Sequence, residues 1–221
     1  MDKKIITTND GSVTFYIEEW NETYHSKHGA VEEAKHVFIK NGLHLFSNKP
    51  ELVILEIGFG TGLNAFITYL ETKIHKQKIH YVGVEAYPIS KEEANCLNYV
   101  KALNAIKEAT VFNQFHEVAW EQENQISPYF SLTKKQQFFQ EINQENTFNV
   151  IYFDAFGYSV QPELWSEEMF VKMYKALKKN GVLVTYACRS VIKKAMLAAG
   201  FSVEKLPGAP GKREMLRAIK L

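Results

Sequence analysis

Apolar positions in this chain recur at two spacings, and the switch between them carries the fold. Ile5-Ile6-Thr7-Thr8 and the alternating Val13-Thr14-Phe15-Tyr16-Ile17 flank Asp10-Gly11, a dipeptide suited to a tight turn, so the chain is predicted to open with a β-hairpin. Val31, Ala34, Val37, Phe38 and Leu45 follow at helical spacing and predict a helix from about Ala30 to Leu45, packed across a sheet. Strands and helices then alternate. Leu52–Ile57 reads as a short buried strand, ended by Gly58-Phe59-Gly60-Thr61-Gly62 and followed by a helix through Asn64–Leu70; His80–Glu85 is a second strand that ends on a carboxylate, with a helix near Lys91–Lys101 behind it.

From Ala102 to Glu145 aromatic and Gln/Asn/Glu residues mix without a clear period, and only a strand near Tyr129–Thr133 stands out. The pattern returns with a strand at Phe148–Asp154, a helix from about Ser166 to Lys179, a strand at Gly181–Tyr186, a helix near Val191–Ala199 and strands at Phe201–Lys205 and Glu214–Lys220. Near-continuous apolar runs are what strands covered by helices on both faces require. The last two strands are joined only by the loop Pro207–Arg213, too short for a parallel crossover, so they run antiparallel. The expected fold is α/β and Rossmann-like: a mostly parallel sheet with an antiparallel terminal strand, elaborated by the N-terminal hairpin and helix. At 221 residues this is one domain, with residues 1–48 as the elaboration and 49–221 as the core.

Composition adds exclusions. The opening stretch Met1–Ile6 has no apolar run behind it and no later segment is long and apolar enough to cross a bilayer, so the expectation is a cytoplasmic protein with no membrane partner. Cys96 and Cys188 lack a metal-binding spacing and read as two reduced thiols. The net charge of +1 conceals an asymmetry: residues 1–170 carry 14 Lys and Arg against 23 Asp and Glu, whereas residues 171–221 carry 12 against two. Clustered cations of this kind suit a polyanion, although solvated helix faces such as Lys172, Lys175, Lys178 and Lys179 would look the same.

Ligands of open α/β sheets bind at the carboxyl ends of strands, which directs attention to three acids. Glu56 precedes the glycine loop, Glu85 ends the second strand and Asp154 ends the fourth. Gly58, Gly60 and Gly62 let a ligand approach the backbone, but the third glycine comes one residue too early for a dinucleotide fingerprint, and Glu56 would repel a pyrophosphate. Glu85 is suited to accept hydrogen bonds from two ribose hydroxyls. A zwitterionic, ribose-bearing, phosphate-free cofactor fits, and S-adenosylmethionine is such a molecule. Asp154 would orient an amine for in-line methyl transfer. Phe156, Tyr158 and Trp165 are candidates for stacking on a flat substrate or for covering the core. His25, His28 and His36 lack a convincing third ligand and read as solvated, so no metal is expected.

Tyr24-His25-Ser26 with Gly29–Phe38, Glu56–Asn64, Asp154-Ala155-Phe156 with Gln161–Trp165, Gly181–Tyr186, and Ala199–Phe201 with Pro207-Gly208 and Gly211–Met215 together resemble the tRNA 5-methylaminomethyl-2-thiouridine methyltransferases, the MnmC-like group. The resemblance implies a class I S-adenosylmethionine-dependent methyltransferase fold and N-methylation of the 5-aminomethyl group on a wobble 2-thiouridine, so that the partner is a tRNA anticodon loop. It implies cofactor contacts from Glu56, Gly58, Phe59, Gly60, Thr61, Gly62, Asn64, Glu85 and Asp154, catalytic roles for Asp154 and Phe156, and substrate or tRNA contacts from Tyr158, Trp165, Lys212 and Arg213. In bifunctional members a flavin-dependent oxidoreductase domain follows; here the sequence ends at Leu221, so no flavin is expected and a separate oxidoreductase would supply the substrate. A second departure is Thr133-Lys134-Lys135-Gln136, where many methyltransferases have an acid near the adenine. The competing readings are a methyltransferase of a small molecule or protein, a nicotinamide-dependent oxidoreductase, and a non-catalytic RNA-binding module.

Overall fold

The computed structural model describes residues 3–221; Met1 and Asp2, the head of the stretch read as neither leader nor anchor, lie outside the described residues. At the N-terminus β1 (Lys3–Thr7) pairs antiparallel with β2 (Val13–Ile17), and β2 with the two-residue β3 (Glu22–Thr23). The expected Asp10-Gly11 turn forms, with Gly11 at φ 80°. Asp10 also ties this sheet to the next element: Oδ1 accepts from the Thr8 and Ser12 hydroxyls and the Ser12 amide, and Oδ2 accepts from the Glu32 amide in the first turn of α1 (Ala30–Ala34).

The single helix expected over residues 30–45 is instead three pieces: α1, a π-helical segment Lys35–Lys40 and a 3-10 turn Leu43–Phe46. The wide π turn buries Val37, Phe38 and Ile39 in succession, and Gly42 passes so close to the Phe38 carbonyl that a Cβ there would stand 2.5 Å from it.

The core is built from β4 (Glu51–Ile57), α2 (Leu63–His75), β5 (Lys78–Val84), the short α3 (Lys91–Asn95) and α4 (Tyr99–Ala102), α5 (Ala109–Glu117), β6 (Glu123–Ser127), β7 (Phe130–Lys135), β8 (Phe148–Phe153), α6 (Glu167–Ala176), β9 (Leu177–Thr185), α7 (Ser190–Ala198), β10 (Ser202–Pro207) and β11 (Glu214–Ile219). The eight strands order as β10-β11-β9-β8-β4-β5-β7-β6. β11 runs antiparallel to β10 and β9, as the short loop demanded; β6 is a second antiparallel strand, on the opposite edge. The helix expected to reach Lys179 stops at Ala176, because Leu177 enters the sheet opposite Phe148 and Asn180 takes a left-handed φ of 62°.

Alternation along the central strands divides the core. Ile54, Tyr81, Val150, Tyr152 and Val184 face the layer of the π-helical segment, α2 and α5, where Phe38, Phe66 and Phe115 are buried. Leu55, Ile57, Ile151, Phe153 and Leu183 face α6 and α7, packing with Phe170, Met173 and Met196. Strand order reverses between β4 and β8, and both strands deliver their carboxyl ends to the same crevice.

Candidate active site

The crevice is framed by backbone. Gly58 N and Phe59 N both donate to Val84 O at 3.0 Å, and Asp154 N donates to Ile57 O at 2.9 Å, so the ends of β4, β5 and β8 are cross-tied. Gly58 sits at φ 88° with Asp154 O 2.7 Å from where a Cβ would be, a position that only glycine fills without displacing the acid's backbone. Phe59 packs against Gly83 of β5, whose added Cβ would meet the ring at 2.4 Å. Past the loop, Glu85 accepts from Gly60 N through Oε2 (3.0 Å) and from Tyr87 N through Oε1 (2.9 Å). Each oxygen keeps a lone pair for another donor.

Behind the loop the first and third acids share one amide. Asn64 Nδ2, in the first turn of α2, donates to Asp154 Oδ2 at 2.8 Å and to Glu56 Oε1 at 2.9 Å. Glu56 is 1% exposed, its Oε2 has no hydrogen-bond partner among the described residues, and burial raises its carboxyl well above the ordinary range, reinforced by Asp154. Burial also pushes Asp154 up to about 7, with Glu33 acting in the same direction and Asn64 and Lys212 against it. Burial thus biases Glu56 towards its protonated form, while Asp154 is poised between its two forms at neutral pH.

A cavity of about 590 Å³ opens over this network. Gly58, Phe59, Gly60, Thr61, Asn64, Glu85 and Asp154 line it, together with Tyr87, Phe138 and Gln140 beyond β5 and β7. The remaining wall comes from the N-terminal sheet and the segment behind it, which contribute Lys3, Ile17, Trp20, Thr23, Tyr24 and His25. Phe156 sits between two of these rings, edge-on to Trp20 at 5.3 Å and to Tyr24 at 5.1 Å. Sequence reasoning missed this wall because the hairpin reads as an ornament until the tertiary fold brings it over β8. Among the described lining residues the acids Glu85, Asp154 and Glu163 outnumber the one lysine, Lys3, which is itself paired with Glu93 at 3.1 Å. Such a cavity favours cationic ligands and opposes a pyrophosphate.

Several expected site residues lie elsewhere. Glu56 does not reach the cavity; its contact to a ligand is screened by Asn64. Gly62 caps α2 at φ 74°, facing Phe59 and His116. Trp165 is 1% exposed within the core, so it does not stack on a substrate; its indole donates to Phe156 O at 2.8 Å and steadies that residue. Tyr158 is outside the lining, beneath the Arg189 guanidinium at 5.7 Å. Lys212 points inward, pairing with Glu33 Oε1 at 2.5 Å, which removes it from phosphate contact, whereas Arg213 is exposed. His25 is half-buried in the cavity wall rather than free in a loop: it hydrogen-bonds Thr14 at 3.0 Å, and burial holds it down to about 4 and therefore neutral. His36 bonds the Pro207 carbonyl at 2.8 Å, and His28 is exposed beside Gly211.

A protein-family profile described as S-adenosyl-L-methionine-dependent methyltransferase matches residues 105–221. The chain belongs to the S-adenosyl-L-methionine-dependent methyltransferases. The methyltransferase is 29% identical over 224 residues to the tRNA 5-methylaminomethyl-2-thiouridine biosynthesis bifunctional protein MnmC of Leptospira interrogans, covering 90% of this chain and 32% of that protein. It is 26% identical to the protein of the same name from an Acidovorax species, covering 99% of this chain and 35% of that one. It thus spans about a third of the length of the curated relatives it matches. Its fold is that of the crystal structure of MNMC2 from Aquifex aeolicus, with a TM-score of 0.75, 22% identity and coverage of 98% of this chain and 70% of that one. Spermidine synthase from Thermotoga maritima matches at a TM-score of 0.53 with 14% identity, covering 99% of this chain and 72% of that one.

S-adenosylmethionine is the methyltransferase's cofactor, and the cavity suits it on three counts. The glycine loop clears backbone for close approach, Glu85 has free acceptor capacity at the strand end, and the lining carries the negative charge that a sulfonium and an ammonium call for.

Proposed function

We propose that this methyltransferase converts 5-aminomethyl-2-thiouridine to 5-methylaminomethyl-2-thiouridine at the wobble position of tRNA. The observation that carries the proposal is the double membership of Asp154: it hydrogen-bonds Asn64 on the glycine-loop side and leads directly into Phe156, whose ring meets Trp20 and Tyr24 on the other. Cofactor groove and aromatic-walled recess are therefore one cavity with a carboxylate between them. Likeness to the MnmC proteins, whose name states biosynthesis of this nucleoside, selects the substrate.

Glu85 holds the ribose hydroxyls; Gly58, Phe59, Gly60 and Thr61 line the groove; and Tyr87 and Phe138, edge-to-face at 6.0 Å, form an apolar slot for the adenine. When bound, S-adenosylmethionine supplies an electrophilic methyl group on a sulfonium. Phe156, Trp20 and Tyr24 hold the flat base, and Asp154 as a carboxylate accepts from the substrate amine, aims its lone pair and takes the proton that the amine must lose. A group that titrates near 7 can take that proton and return it to water. The exposed Arg189, Lys194 and Arg213 of the cationic C-terminal quarter serve as phosphate contacts.

The test is methyl incorporation from labelled S-adenosylmethionine into tRNA carrying 5-aminomethyl-2-thiouridine, beside tRNA lacking the aminomethyl group. Incorporation into the first alone is expected. No incorporation into either, with the cofactor bound, overturns the substrate assignment.

A further inference from the structure

Lys212 and Glu33 come from opposite ends of the chain, yet their charged groups meet at 2.5 Å with side chains only 29% and 10% exposed. The loop between β10 and β11 is shaped for this. Gly208 N donates to Arg213 O and Lys212 N to Ala209 O, and a Cβ on Gly208 would stand 2.5 Å from Lys212 O, so the loop folds tightly, turning Lys212 in and leaving Arg213 out. Removing two charges from water is expensive and seldom adds net stability, so such a pair calls for a function.

Its surroundings supply one. Lys212 Nζ stands 3.9 Å over the Tyr186 ring, and the Tyr186 hydroxyl donates to the carbonyl of Ala155, the residue between Asp154 and Phe156, at 2.9 Å. Glu33 Oε2 accepts from the amide of Ser26, next to Tyr24 and His25 in the cavity wall. We propose that Glu33 and Lys212 are positioning residues of the methyl-transfer site, a charge pair behind Asp154 that fixes the Asp154-Ala155-Phe156 segment through Tyr186 and balances the charge on Asp154.

The groups facing Asp154 are Glu33 and Lys212, Glu56 from β4, Tyr81 from β5, Tyr99 from α4 and Tyr186 after β9. Burial raises the tyrosines and Glu56 and so favours their neutral forms, and among the described residues the charges that act on Asp154 are Glu33 and Lys212. They act in opposite directions, Glu33 disfavouring the carboxylate and Lys212 favouring it.

The proposal rests on the N-methylation reading for its catalytic consequence, but not for its first test. The chain has three aspartates, Asp2, Asp10 and Asp154. Selective 13C-aspartate labelling therefore gives three carboxyl signals, with that of Asp154 assigned by its loss in D154N, and its titration is followed in the free enzyme. In E33Q the midpoint should fall by roughly one pH unit and in K212M it should rise by a similar amount, while E33Q/K212M should return close to the starting value. The acid limb of kcat/KM should move in the same sense in each variant, and K212R should restore it. A general loss of packing would lower the melting temperature of both single variants without moving the midpoint in opposite directions. Midpoints unmoved in folded E33Q and K212M, or moved the same way in both, overturn the proposal; midpoints that move as expected without methylation of the aminomethyl tRNA overturn only the substrate assignment.

Discussion

Asn64 Nδ2 donates to Asp154 Oδ2 at 2.8 Å, linking the first turn behind the glycine loop to the acid on the neighbouring strand. The same nitrogen serves Glu56 Oε1, so Asn64→Leu strips the donor from two buried acceptors at once. The expected result is a loss of about 1–3 kcal/mol of unfolding free energy and a further rise in the titration midpoint of Asp154. Urea denaturation and the pH–rate profile measure the two; a variant as stable as the parent, with an unmoved profile, would remove Asn64 from the network.

The position of Asp154 sets opposite demands on stability and activity. Its folded-state value of about 7 lies above the ordinary 3.8, so the folded state keeps this proton to higher pH than the unfolded chain does. Stability from this group is complete below about pH 4 and is lost as pH rises towards 7, whereas the base-competent carboxylate appears only over that rise. Asp154→Asn should therefore be more stable than the parent at pH 8, by on the order of 2 kcal/mol, with the difference vanishing near pH 4. Its turnover should fall by about 100-fold or more while cofactor affinity is retained. Cofactor binding lost in parallel with turnover would move Asp154 to the cofactor's side of the site.

What the sequence displayed of this site was its strand ends. Glu85 and Asp154 follow continuous apolar runs, and the glycines between β4 and α2 mark the turn, so both acids and the loop are legible in the sequence. The stretch from Ala102 to Glu145 hid its elements for physical reasons. α5 has only nine residues and buries just Phe112 and Phe115; β6 is an edge strand of polar residues; and β7 carries a buried lysine, Lys134, whose ammonium donates to His116 O and lies 4.7 Å from the Trp120 ring. A charge in a strand interior reads as surface unless its partners are known. The same blindness covered Lys212, whose inward turn is set by the folding of its loop and by Glu33.

Two glycines give a sharper check on the crevice than the acids do. An alanine at Gly58 would place its Cβ 2.7 Å from Asp154 O at a backbone angle that side chains rarely adopt, and one at Gly83 would stand 2.4 Å from the Phe59 ring and displace it from β5. Gly58→Ala should cost about 1–3 kcal/mol of stability and displace Asp154, whereas Gly83→Ala should act mainly on cofactor affinity, weakening it about tenfold or more. Calorimetric titration with S-adenosylmethionine separates them. Undiminished affinity in a folded Gly83→Ala protein would show that Phe59 does not shape the groove.

Trp20 tests whether the N-terminal sheet belongs to the active site or merely covers it. Its ring lines the cavity and meets Phe156 edge-on, far along the chain from the glycine loop. Stacking of an aromatic side chain on a base contributes about 1–3 kcal/mol, so Trp20→Ala should raise KM for the aminomethyl tRNA by roughly tenfold or more, while Trp20→Phe keeps most of the affinity. Glu85 and the glycine loop are untouched by either change, so binding of S-adenosylmethionine should move less than about twofold. If both ligands weaken together, the sheet acts by closing the whole cavity; if only the tRNA weakens, Trp20 grips the base and the hairpin is the substrate-reading half of the site.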